Sequence, residues 1–210
     1  MRTEPLRIAV FASGSGSNFQ AIADAAMAGR LDVRIELLVC DRPNAGVVER
    51  AKQAGVPVHT FRPKDYDSRE TYEREILTML QQKQVELVVL AGYMRIVTKV
   101  LVDAYWGRML NVHPSLLPSF PGLDAIGQAL RHGVKVTGVT VHLVDGGLDS
   151  GPILAQRALD IEPGDTEASV AERIHRIEHR LYPEVIQAIA TGSIRLEDAA
   201  NKYKEDGTAP

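Results

Sequence analysis

The chain has 210 residues, 45% hydrophobic and 24% charged, with a formal net charge of −3, which bounds it to one soluble domain or at most two small ones, with a core that needs no staples. The slight negative charge leaves no footprint for nucleic acid or an acidic membrane, and no apolar run approaches the roughly 20 residues of a membrane span. A lone cysteine, Cys40, excludes an intramolecular disulfide and a cysteine metal site, and with no signal peptide in the polar residues 1–5 a cytoplasmic protein is expected.

Residues 6–12 form an apolar, β-branched run that reads as a buried strand. Ser13-Gly-Ser-Gly-Ser-Asn18 follows, then a helical pattern to Gly29. Glycines permit close backbone approach, and a helix N-terminus favours an anion, so Gly16, Ser17 and Asn18 read as a phosphate or carboxylate site. An ordinary capped strand-to-helix turn is the plain alternative. A dinucleotide fingerprint fits poorly, because Phe19 stands where its third glycine belongs. Asp41, after the next strand at 33–40, imitates the ribose-binding acid of that motif or is a plain turn residue beside Pro43.

A helix at 45–54, ended by Gly55, and a strand at 56–61 come next. Asp67-Ser-Arg-Glu70 has capping-box spacing and opens a helix to about Gln82. Arg69 in its first turn opposes the helix dipole; it serves a ligand anion or is simply solvated. The strand at 86–91 leads into Gly92-Tyr-Met-Arg-Ile-Val97, an apolar loop that covers a pocket or plugs the core. A Thr98-capped helix to 105 precedes the short strand of Met109 to Val112, which three prolines, Pro114, Pro118 and Pro121, bring to an end. A helix at about 123–132 follows.

Alternating strand and helix specify a doubly wound, mainly parallel α/β sheet with right-handed crossovers. Two strands at 136–144 and 152–161 are then joined by Asp145-Gly-Gly-Leu-Asp-Ser-Gly151 with no helix, so the C-terminal part is expected to be antiparallel or mixed. Asp165-Thr166 opens a long helix that Pro183 is expected to kink or break. The polar segment 196–210 is expected to be loose.

The chemistry-bearing residues converge on the strand at 109–112. Asn111 and His113 share a face by the strand period of two, His142 sits late in the sixth strand, and Asp149 lies in the glycine-rich connection. An amide donor with an imidazole can stabilise an oxyanion, and a carboxylate can orient the imidazole or a water for proton transfer. The arrangement suits transfer of a small acyl group directly to an amine. The plain alternative pairs Asn111 with loop backbone and leaves His113 a satisfied polar residue. Ser115 lacks a nucleophile elbow, and no metal-ligand motif accompanies His113, His142 and Asp149.

Asn111-Val-His-Pro-Ser-Leu-Leu-Pro118, Thr140-Val-His142 and Leu148-Asp149-x-Gly151-Pro-Ile resemble the folate-dependent formyltransferase family, over about residues 6–195. Ser13-Gly-Ser-Gly-Ser-Asn18, Ala91-Gly-Tyr-Met-Arg-Ile96 and Ile177-Glu-His179 are similar to its purine-pathway branch. The resemblance implies a single Rossmann-like formyltransferase domain over residues 1–195. It implies transfer of the formyl group of 10-formyltetrahydrofolate, a co-substrate, to the amino group of glycinamide ribonucleotide in de novo purine biosynthesis, without a metal, by a monomer or homodimer. Asn111, His113 and Asp149 match the family's catalytic trio, with His142 behind them. Gly16, Ser17 and Asn18 match its phosphate turn, and His175, Arg176, Ile177 and Glu178 its ribonucleotide side. Arg69, Met94, Arg95, Ile96, Val97, Asn111, Asp145, Gly146, Gly147, Leu148 and Asp149 match its folate side. Leu123-Asp-Ala-Ile-Gly127 departs from the histidine-containing versions of some members, on the substrate side.

Rival readings are formyl transfer to initiator tRNA, hydrolysis of the formyl donor, a non-catalytic nucleotide-phosphate sensor and a dehydrogenase. The first two are disfavoured because residues after 195 are too few for a nucleic-acid-binding domain and the chain opens on its first strand. The trio speaks against the third, and Phe19 against the fourth.

Overall fold

The computed structural model describes residues 2–205. In chain order the elements are β1 Leu6–Ala12, α1 Ser17–Met27, β2 Val33–Cys40, α2 Gly46–Gln53, β3 Val58–Thr60, a 3-10 turn Pro63–Asp65, α3 Arg69–Gln82, β4 Leu87–Leu90, α4 Lys99–Ala104, β5 Met109–His113, α5 Ala125–His132, β6 Val136–Leu143, β7 Ile153–Asp160, α6 Glu167–Ala190 and α7 Leu196–Glu205. The strands form one seven-stranded sheet in the order β3-β2-β1-β4-β5-β6-β7. The first five are parallel, while β6 runs antiparallel to β5 and β7 to β6. The change of direction falls where the sequence places it. A connection as short as 145–151 cannot carry a crossover helix, so β7 must turn back on β6.

Strand alternation sorts the core into two layers. Ile8, Val10 and Ala12 of β1 join α1, α2 and α6 on one face. Ala9 and Phe11 join Tyr72, Ile76 and Leu80 of α3 and Leu101 of α4 on the other. Because β4 returns to the side of β1 opposite β2, the strand order reverses between β1 and β4. A crevice opens there at the carboxyl ends of the strands, and β5 is the next strand along. No helix among the described residues is long and apolar enough to cross a membrane.

Three local expectations are corrected. The cap of α3 is Ser68, whose Oγ accepts from the Thr71 N–H at 3.2 Å; Glu70 therefore sits one position too early for the expected box. The helix α6 is continuous through Pro183. Proline removes one helical donor, but Tyr182, Val185 and Ile186 are buried around it and Tyr182 Oη donates to the Leu90 carbonyl at 2.9 Å, holding both turns against the sheet. Residues 196–205 form α7 where a loose tail was expected: Leu196, Ala199 and Ala200 recur at helical spacing and pack on the core. Residues 206–210 lie outside the described residues.

Candidate active site

The alternation of β5 places Leu110 and Val112 in the α1/α6 layer and turns Asn111 and His113 to the opposite face. Antiparallel pairing sets His142 of β6 directly across from Asn111. The connection after β6 brings in Asp149 at φ +51, a left-handed conformation that Asp and Asn tolerate better than most residues. Asn111, His113, His142 and Asp149, singled out in the sequence, thus stand together. Asp149 Oδ2 lies 3.4 Å from His113 Nδ1 and accepts from the Gly122 N–H at 2.8 Å. Asp149 Oδ1 lies 3.4 Å from Asn111 Nδ2 and 3.6 Å from His142 Nε2.

Hydrogen bonding sets the tautomers. His142 Nδ1 lies 2.8 Å from the Leu143 carbonyl, which can only accept, so Nδ1 carries a proton; its Nε2 stands 3.2 Å from Asn111 Nδ2 and faces Asp149. His113 Nε2 lies 2.9 Å from the Phe120 carbonyl, so it too is protonated and Nδ1 faces the Asp149 carboxylate. Burial pulls the His113 imidazole below its usual 6.5, opposed by the Phe120 carbonyl and Asp149. Burial also opposes ionisation of Asp149, but His142, the Gly122 N–H and His113 together hold that carboxyl down at about 2. At neutral pH the site therefore holds an ionised Asp149 facing the bare Nδ1 of a neutral His113, with room for one proton between them. Ser115 is fully buried and its hydroxyl donates to the Ser119 carbonyl at 2.5 Å, which commits it to the proline loop rather than to nucleophilic attack.

The turn after β1 builds the second half. Gly16 takes φ +78, and a Cβ there would lie 2.6 Å from Val47 Cβ, so glycine alone lets α2 approach. Gln20 N bonds to Gly16 O, leaving the preceding N–H groups of α1 without a helical acceptor. Asn18 Nδ2 donates to Glu178 Oε2 at 2.9 Å. Burial pushes the Glu178 carboxyl above the usual range, opposed by Asn18 and His175. Gly16, Ser17, Asn18, His175 and Glu178 line a cleft of about 270 Å³ with Gly92, Met94, Val112 and Pro114. Val112 and Pro114, the chain neighbours of His113, belong to that lining, so the cleft reaches the end of β5, although the side chains of the trio are not part of its wall. A larger groove of about 760 Å³ lies between α1 and α6, lined by Ser17, Arg30, Arg50 and His179 among others. Its lining includes no residue of β5 or of the loop that follows, whereas Val112 and Pro114 line the smaller cleft, so we place the chemistry beside the smaller one.

The remaining candidates divide. Arg176 is exposed and pairs with Glu172, and Ile177 packs on the core, so of the four α6 candidates the cleft takes only His175 and Glu178. Met94, Ile96 and Leu148 are exposed apolar side chains, at 62%, 68% and 60%. Val97 is packed on the α3/α4 layer, and Arg69 is exposed at the first residue of α3, lining neither cleft. Asp145 is buried and accepts from Gly147 N and Ser150 Oγ at 2.9 and 3.0 Å, shaping the loop that carries Gly146, Leu148 and Asp149. A Cβ on Gly151 would lie 2.0 Å from the Leu143 carbonyl oxygen, which fixes glycine at the base of that loop.

Sequence reasoning missed the Phe120 carbonyl and the Gly122 N–H, which set the charge of the trio; backbone groups leave no residue-type signal. It also left Asp41 as a turn residue or an imitation ribose acid. Asp41 is buried and paired with Arg95 at 2.8 Å.

Residues 6–186 match a family model described as formyl transferase. The chain is 50% identical to the phosphoribosylglycinamide formyltransferase of Bacillus subtilis (strain 168) over 193 residues, 92% of this chain and 99% of that protein. It is 40% identical to the protein of the same name from Escherichia coli (strain K12) over 195 residues, 93% of this chain and 92% of that protein. Among solved structures, glycinamide ribonucleotide transformylase 1 from Geobacillus kaustophilus superposes with a TM-score of 0.87 at 55% identity, covering 89% of this chain and 100% of that one.

Proposed function

The chain belongs to the formyl transferase family, and from that premise we propose that it moves the formyl group of 10-formyltetrahydrofolate onto the amino group of glycinamide ribonucleotide, using Asn111, His113 and Asp149. The observation that carries the residue assignment is the meeting of these three side chains within 3.4 Å contacts at the end of β5, against the cleft built on the α1 turn.

In this reading the acceptor's phosphate lies at the N-terminus of α1, where Ser17 and unpaired N–H groups favour an anion, and its amine reaches the end of β5. The amine lone pair attacks the formyl carbon. Negative charge develops on the formyl oxygen, and Asn111 Nδ2 donates to it; the present partners of that nitrogen, at 3.2 and 3.4 Å, are long enough to yield to an oxyanion. The ammonium proton passes to His113 Nδ1, directly or through a water. Asp149 stabilises the imidazolium so formed. Collapse of the tetrahedral intermediate breaks the bond from carbon to the folate nitrogen. That nitrogen takes up the proton held on His113, directly or through the same water, as the product formamide leaves. Met94, Ile96 and Leu148 offer an apolar surface for the flat body of the folate.

The test offers 10-formyltetrahydrofolate with glycinamide ribonucleotide, initiator methionyl-tRNA and water as competing acceptors. Formylation of the ribonucleotide alone is expected. Formyl-tRNA or free formate as the main product would overturn the reading.

A further inference from the structure

The loop at 92–98 has no helix or strand of its own, yet four residues, on or just after β1, β2 and α3, anchor it. Ser13 at the end of β1 donates its N–H to the Gly92 carbonyl at 3.0 Å, and its Oγ accepts from the Met94 N–H at 2.8 Å. Tyr93 packs edge-on against Phe11, with ring centroids 5.3 Å apart. Glu73 of α3 is buried and accepts from the Thr98 N–H and hydroxyl at 2.9 and 2.6 Å. Between these, Arg95 Nε donates to Asp41 Oδ2 at 2.8 Å, and the Asp41 side chain is wholly buried. The held side chains of Tyr93 and Arg95 thus alternate with those of Met94 and Ile96, which are apolar and stand out in solvent. A loop that exposes two large apolar groups would collapse onto them if it were free to do so. The anchors prevent this.

We propose that Asp41 is a positioning residue for the formyl-folate side of the site: its carboxylate fixes the Arg95 guanidinium, and through it the 92–98 loop, so that Met94 and Ile96 are presented ready to bind. Asp41 suits this role because its other oxygen, Oδ1, is buried without a hydrogen-bond partner. If Arg95 left, a carboxylate would remain buried with no countercharge, a state strongly disfavoured. The pair therefore holds the loop in place in the unliganded protein. A guanidinium carries five N–H donors in a planar fork. Asp41 takes the Nε–H and sets the plane, which leaves the terminal N–H groups for an anionic part of the ligand. Lysine could not keep both functions.

The identity of the ligand rests on the functional reading above; the role of Asp41 in holding the loop does not. Two measurements separate them, on Asp41→Asn, Arg95→Gln and the double variant of the full chain. In steady-state formyl transfer, each single variant is expected to raise KM for 10-formyltetrahydrofolate by at least about five-fold, with a smaller change in kcat and in KM for the ribonucleotide. The double variant is expected to be no worse than Arg95→Gln, as for two residues in one contact. In hydrogen exchange without ligand, residues 92–98 are expected to exchange about ten-fold faster in both single variants. Unchanged exchange in Asp41→Asn overturns the positioning role whatever the activity. Faster exchange with an unchanged folate KM overturns its bearing on the folate. A wild-type protein that transfers no formyl group sinks the functional reading and leaves exchange to decide the loop.

Discussion

Asn18 Nδ2 donates to Glu178 Oε2 at 2.9 Å, joining the first turn of α1 to the middle of α6. One N–H of the Asn18 amide is therefore committed to Glu178, and its Oδ1 is buried without a hydrogen-bond partner. An acceptor in that position repels a phosphate. The anion is left to Ser17 and the backbone. Replacing both Ser17 and Asn18 by Ala should weaken the ribonucleotide by at least about ten-fold and formyl-folate by less than about three-fold. Asn18→Ala alone should also cost about 1–3 kcal/mol of stability, because Glu178 loses its partner, whereas Ser17→Ala should not. Calorimetric titration of the two ligands, with a thermal melt, checks both; equal weakening of the ligands contradicts the assignment.

Gly16 offers a sharper steric test. A Cβ would lie 2.6 Å from Val47 Cβ and 2.8 Å from its Cα, at a φ of +78. Gly16→Ala should destabilise the fold by about 1–3 kcal/mol and raise KM for the ribonucleotide through the displaced turn. A variant that melts and binds like the wild type would show that α2 gives way without cost.

Asn111→Ala and His113→Ala should each lower kcat by about 10²-fold or more, as expected for loss of an oxyanion donor or a proton-transfer group. Neither side chain belongs to the apolar core of the sheet, and circular dichroism should show the fold retained. Near-normal turnover in both folded variants would remove this site from consideration.

The pH dependence follows from the directions of the shifts. His113 is pulled below 6.5 by burial. It binds its proton less readily folded than unfolded, so its contribution to stability is present above 6.5 and is lost as pH falls toward the folded value. Asp149 is held at about 2 against 3.8, so its contribution is present above 3.8 and is lost as pH falls through about 2. In catalysis neutral His113 is the proton acceptor. The acid limb of kcat/KM should therefore lie below 6.5, and Asp149→Asn should move it lower, since the carboxylate favours the imidazolium. A limb that stays in place in Asp149→Asn contradicts the pairing.

Much of the fold was legible because its signals are local and periodic. Residues 6–12 are a largely apolar run between Pro5 and Ser13, and they form a strand at those bounds; the strand at 33–40 also keeps the bounds read for it. Asn111 and His113 could be set on one face from the strand period alone. The reading failed where tertiary packing overrode a local rule: Pro183 did not break α6, and polar residues 196–205 became a helix once Ala200 found the core. It also failed where a contact spans the chain. Nothing near Asp41 announces Arg95, 54 positions away. Asp149 lies 3.4 Å from His113 because the Gly122 N–H and the Asp145 bonds hold its loop, and no residue type in the sequence signals the backbone part of that support.

The most direct test of the central claim is the single-turnover rate of formyl transfer to glycinamide ribonucleotide in Asp149→Asn. Asparagine keeps the size of the side chain and tolerates the φ of +51, so the loop should fold as before. It removes the charge that stabilises the His113 imidazolium. The account predicts a chemical step slowed by about 10²-fold or more, with affinity for formyl-folate within a few-fold of the wild type. A chemical step at the wild-type rate would leave Asp149 a turn residue and contradict the proton-transfer role assigned to the trio.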